Sequence, residues 1–110
     1  MAVPFELSVS DYDALRKDGT NHVLIDVREP DEYATARIIG SILIPLGEVT
    51  AKAAAALPDK SARIVVHCHH GMRSARAVEY LRHIGYSHAQ NLTGGIDAWS
   101  SQIDPSVPVY

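Results

Sequence analysis

Short apolar runs alternate with helix-period patterns along this chain, and that alternation predicts the order of its elements. Phe5-Glu6-Leu7 reads as a weak first strand. Ser8 and Asp11 have capping-box spacing for a helix through Lys17, which Gly19 closes. His22 to Val27 reads as a buried strand, and Pro30 opens a short helix reaching about Ala36. Ile42-Leu43-Ile44 is the next buried strand, stopped by Pro45, and the alanine-rich stretch Glu48 to Leu57 is helical up to Pro58.

The clearest strand is Arg63 to His67, with Ile64-Val65-Val66 at its centre. The clearest helix is Ser74 to Ile84. Its apolar face is Ala77, Val78, Leu81 and Ile84, its polar face carries Arg76, Glu79 and His83, and Gly85 is its stop. Ala89 to Leu92 reads as a fifth strand, and Gly94-Gly95 leads into a last helix through Trp99. The segment Asp104 to Tyr110 is expected to lie extended over the surface. Strands alternating with helices predict an α/β fold, a mostly parallel sheet covered on both faces. Residues 1–110 are expected to form a single domain, since that length suits one core and shows no repeat or linker.

Composition narrows the function. A formal net charge of −3 argues against a nucleic-acid partner. The apolar runs are too short to span a bilayer, and Met1 to Leu7 lacks the pattern of a secretory signal, so a cytoplasmic location without membrane attachment is expected. The single cysteine rules out an internal disulfide. Yet the stretch His67 to Val78 contains Arg73, Arg76 and three histidines with no acidic residue, and that stretch holds Cys68.

Cys68 follows a buried strand and precedes a helix, the position where open α/β sheets bind ligands. Inward backbone N–H groups and a helix N-terminus favour an anion there and depress a thiol pKa. Gly71 permits the sharp connection. A small buried hydrophobe is the ordinary use of a lone cysteine, but strand end, glycine loop, helix start and local basicity together favour a nucleophile. Metal binding is not expected, because adjacent residues on a tight turn point apart and zinc spacings are absent. No cofactor is expected either.

Three segments, Leu24-Ile25-Asp26-Val27-Arg28-Glu29, the Cys68-to-Ser74 loop, and Leu92-Thr93-Gly94-Gly95-Ile96-Asp97-Ala98-Trp99, closely resemble the hallmark segments of the rhodanese family. The resemblance implies a three-layer rhodanese-like fold, a five-stranded parallel sheet with helices on both faces. It also implies a persulfide-forming cysteine after the fourth strand. By position, Cys68 would carry the sulfur, the amides of His69, His70, Gly71, Met72 and Arg73 would cradle it, and Arg73 would help bind an anionic donor. Asp26 and Arg28 fall where the family places a charged pair and would support the loop. Where the family usually has Gly-His-Ile-Pro-Gly, this chain reads Ala36-Arg37-Ile38-Ile39-Gly40, so Arg37 and Ile39 replace the usual histidine and proline.

The implied activity is thiosulfate sulfurtransfer, from a small-molecule sulfur donor to an external thiol or protein acceptor, with cyanide as the assay acceptor. Three rivals are a cysteine-loop phosphatase or arsenate reductase, a non-catalytic interaction module, and a carrier fed by a protein donor. Against the first, only His69, His70, Gly71 and Met72 separate Cys68 from Arg73, one residue fewer than in cysteine phosphatases. The smaller ring of amides suits a sulfur atom better than a phosphoryl group. The segment Ile103 to Tyr110 resembles the ends of rhodanese domains attached to cofactor-biosynthesis enzymes.

Overall fold

The computed structural model describes residues 3–110. Five strands, β1 (Glu6–Leu7), β2 (Val23–Asp26), β3 (Ile42–Leu43), β4 (Ile64–His67) and β5 (Ala89–Leu92), form one sheet in the order β1-β5-β4-β2-β3, with every pairing parallel. The helices are α1 (Val9–Lys17), α2 (Pro30–Thr35), α3 (Val49–Ala56), α4 (Met72–His83) and α5 (Gly95–Gln102), with a 3-10 turn at Leu46–Glu48.

Period-2 alternation in the strands divides the core in two. Ile64 and Val66 of β4 and Ile25 of β2 face Val49 and Ala53 of α3 and Ala77, Val78 and Leu81 of α4. Val65 and Leu24 face the opposite way, toward Tyr12 and Leu15 of α1 and Ile96 and Trp99 of α5. Each face of the sheet is therefore covered, giving three layers. Among the described residues, no helix is long and apolar enough to cross a membrane.

The central strand β4 lies between β2 and β5, and its C-terminal end delivers Cys68 to the middle of one sheet edge. Register sets Asp26 beside His67 on one face of that edge, and Asn91 beside Val66 on the other.

Several boundaries differ from expectation. Helix α4 begins at Met72 rather than Ser74, because Gly71 caps it with φ +112° and so lets the chain turn into the helix early. Helix α5 continues past Trp99 to Gln102. Of the Ser8–Asp11 pair, only the half in which the Asp11 N–H donates to Ser8 Oγ forms, at 3.1 Å. A return bond of capping-box type occurs instead at α2, where Glu32 accepts the Glu29 N–H at 3.0 Å. The last segment does not simply lie on the surface. Val107 is buried against the α1–α5 side of the core, and Ser100 Oγ donates to its carbonyl. The Ala36-to-Gly40 connection keeps its apolar anchor in the buried Ile38, while Ile39 is exposed and Arg37 lies over the Tyr33 ring at 4.6 Å.

Candidate active site

Cys68 is 1% exposed and forms the floor of a small depression of about 160 Å³ lined by His69, His70, Met72 and Arg73. Its Sγ accepts the Gly71 N–H at 3.0 Å and lies 3.3 Å from Ser74 Oγ. Burial alone would push the thiol up. Hydrogen bonds from the Ser74 hydroxyl and from the N–H groups of Ser74, Gly71 and Arg73 outweigh it and hold the thiol below its ordinary value. The family resemblance implies the amides of His69 to Arg73 around the sulfur. Toward Sγ itself, Gly71 and Arg73 contribute, joined by Ser74, whereas His69, His70 and Met72 form the rim.

Ser74 also sits 2.5 Å from Asn91 Oδ1. A hydroxyl has one proton, so sulfur and amide compete for it, and ionising the thiol draws it to Sγ. Asn91 is in turn fixed by its Nδ2, which donates to the Gly71 carbonyl at 3.1 Å and to the Glu6 carboxylate at 3.1 and 3.2 Å. The expected result is a pH profile of alkylation whose midpoint lies below that of free cysteine. Ser74→Ala should move it upward, and a midpoint equal to that of the free amino acid would count against this account.

The loop is clamped from behind by α5. The N–H groups of Ile96 and Asp97 donate to the carbonyls of Cys68 and His69 at 3.0 and 3.1 Å. These are orphan donors of a helix's first turn, satisfied by the loop itself. Gly94 and Gly95, with φ of +80° and +60°, bring the helix close enough to do so.

Asp26 and Arg28 are both fully buried and form a bidentate pair, with Arg28 Nη2 2.7 Å from Asp26 Oδ2. Arg28 also donates to the Ala36 carbonyl at 2.6 Å and to the Tyr110 hydroxyl at 2.7 Å, so the pair pins the end of α2 and the last residue. Asp26 Oδ2 lies 3.7 Å from His67 Nε2, next to Cys68 in the chain. Burial lowers the His67 pKa, which Asp26 only partly offsets, so the ring is neutral.

Arg73 lies on the rim with its charge already matched. Its two terminal nitrogens donate to the two oxygens of Glu32 at 2.6 and 2.9 Å. That contact, opposed by burial and helped by the Glu29 N–H and Tyr110, holds the Glu32 carboxyl down at about 2. Tyr110 donates to Glu32 at 2.8 Å, and its ring stacks on His69 at 4.0 Å. Glu32 and Tyr110 thus belong to the site although sequence reasoning passed over both. Nothing in their local pattern marks them. Ser74 had a readable signal, a hydroxyl at the start of the helix after the cysteine.

The adjacent histidines do not diverge as expected. His69 and His70 stack at 4.0 Å, and with Asp97 they bring three ligand atoms within 4.8 Å of one another. That spacing is wider than the roughly 3.3 Å between ligand atoms around tetrahedral zinc. Stacked rings also send their lone pairs side by side rather than toward one point.

A family model described as Rhodanese-like domain matches residues 8–102. The chain is similar to the adenylyltransferase and sulfurtransferase MOCS3-2 of Zea mays, 35% identical over 109 residues, which cover 94% of this chain and 23% of that protein. It spans only 23–28% of the length of the first such relatives. It is 43% identical over 70 residues to the thiosulfate sulfurtransferase PspE of Escherichia coli, covering 64% of this chain and 67% of that one. The human single-domain sulfurtransferase TSTD1 superposes with a TM-score of 0.81 at 25% identity, covering 91% and 98% of the two chains.

Proposed function

The chain belongs to the rhodanese-like domain family, whose relatives here are named sulfurtransferases, and from that premise we propose that it transfers sulfane sulfur through a persulfide on Cys68. The observation that carries this reading is the sulfur at the floor of the depression, met by backbone N–H groups at a helix start and held below its ordinary pKa. A thiolate is the attacking form of cysteine, and this setting favours it over the neutral thiol.

With thiosulfate as donor, the Cys68 thiolate attacks the outer sulfur. The donor's S–S bond breaks, sulfite leaves with its electron pair, and Cys68–S–S⁻ remains. The N–H groups of Gly71, Arg73 and Ser74 and the positive end of α4 stabilise the anionic group through both steps. An acceptor then takes the outer sulfur: cyanide as thiocyanate, or a thiol as a persulfide. Chain chemistry requires an external acceptor, because the sequence has one cysteine. Small-molecule donor, and thiol or protein acceptor, are the partners of this reading.

Incubation with thiosulfate should add one sulfur atom to the intact mass, and cyanide should remove it. Aryl-phosphate hydrolysis on the same preparation should stay at background. Efficient phosphate release with no cyanide-labile sulfur would overturn the assignment.

A further inference from the structure

The arginine of the rim is not available as a bare cation. Both oxygens of Glu32 engage Arg73, and the Glu32 side chain is only 17% exposed. The carboxylate is fixed by two further donors, the Glu29 N–H at 3.0 Å and the Tyr110 hydroxyl at 2.8 Å. Tyr110 is in turn held by the fully buried Arg28 at 2.7 Å. A carboxylate with four donors on two oxygens does not swing aside, so an incoming anion meets a neutral pair instead of a guanidinium charge.

We propose that Glu32 is a specificity-determining residue, which by neutralising Arg73 makes the site favour sulfur donors of single negative charge over the thiosulfate dianion. The proposal rests on Cys68 being the sulfur carrier. The donor class comprises persulfides, R–S–S⁻, and thiosulfonates, R–SO₂–S⁻. In each the Cys68 thiolate attacks the outer sulfur, the bond behind it breaks, and a thiolate RS⁻ or sulfinate RSO₂⁻ leaves with the electron pair. Total charge is the same on both sides, and no oxidant or reductant enters. Thiosulfate follows the same course but brings one more negative charge toward Glu32 and expels doubly charged sulfite.

Methanethiosulfonate and thiosulfate make the comparison, since they offer the same kind of outer sulfur and differ by one charge. Both are assayed with cyanide on wild type and on Glu32→Gln, whose amide oxygen still accepts the Glu29 N–H. The variant should raise kcat/KM for thiosulfate by about tenfold, chiefly through KM, with less than about twofold change for methanethiosulfonate. Tyr110→Phe, which keeps every carboxylate but removes a hydroxyl holding Glu32, should shift the ratio the same way by a smaller factor. Adding Arg73→Ala to Glu32→Gln should erase the gain. A ratio unchanged or lowered in Glu32→Gln, or a gain that survives the loss of Arg73, overturns the proposal while leaving Cys68 as carrier. If neither donor adds sulfur to the intact mass of wild type, the carrier reading itself fails and this proposal with it.

Discussion

Cys68→Ser is expected to fold and to lose sulfur transfer entirely. The side chain is 1% exposed and packs within the α3–α4 side of the core, where oxygen for sulfur is a small change of volume. The new hydroxyl inherits the Gly71 N–H and Ser74 Oγ as partners, so no buried polar group is stranded. A stability change of about 1 kcal/mol is expected, visible as a modest shift in Tm. Chemistry is another matter, because a serine hydroxyl is un-ionised at neutral pH and forms no persulfide. Intact mass after thiosulfate should show sulfur on wild type and none on the variant. A correctly folded variant turning over at the wild-type rate would remove Cys68 from the mechanism.

Gly95→Ala should be the most damaging single methyl in the molecule. A Cβ built there meets the carbonyl oxygens of Cys68 and His69 at 2.5 Å each, and the His69 carbonyl carbon at 2.7 Å. Those are backbone atoms of the reactive loop, so relief requires moving Cys68 or undocking α5. The residue also has φ +60°, a region costing a side chain about 1–2 kcal/mol. Gly19→Ala isolates that smaller term, because Gly19 has φ +71° and open space around its Cβ. We expect Gly95→Ala to lose about 3–5 kcal/mol, or to keep its fold and lose at least about a hundredfold in kcat. Urea unfolding and sulfur loading on both variants decide it, and equal behaviour of the two would refute the clash.

The central strand and its cysteine were legible because Ile64-Val65-Val66 is apolar on both faces and a glycine follows within the loop. A continuous apolar run has one comfortable place in an α/β sheet, the middle. Helix α4 starts two residues before the sequence expectation, since Met72 and Arg73 offer no cap signal and the chain turns at Gly71 by its left-handed φ. The Asp26–Arg28 pair was visible as a motif. Its depth and its grip on Ala36 and Tyr110 were not, because burial of charge is set by packing. Glu32 reaches Arg73 across 41 positions of sequence, and Tyr110 reaches Glu32 across 78. Periodicity has no reach over such separations. The stacking of His69 on His70 escaped for a related reason: Tyr110 supplies another ring against His69, and it comes from far along the chain.

Strand β1 is two residues long and lies at the sheet's edge, yet its Glu6 holds Asn91, which competes with the sulfur for the Ser74 proton. Among the described residues its only strand partner is β5, which the chain supplies some 85 residues later. Such an edge has little cooperative support and is expected to open locally more often than the central strands. Each opening would take the Glu6 carboxylate from the Asn91 amide and leave the Gly71 carbonyl as the acceptor of its Nδ2. Opening of the edge is expected to loosen one of the bonds that position Asn91 beside the Ser74 hydroxyl, and amide exchange at β1 and β5 measures how often it occurs.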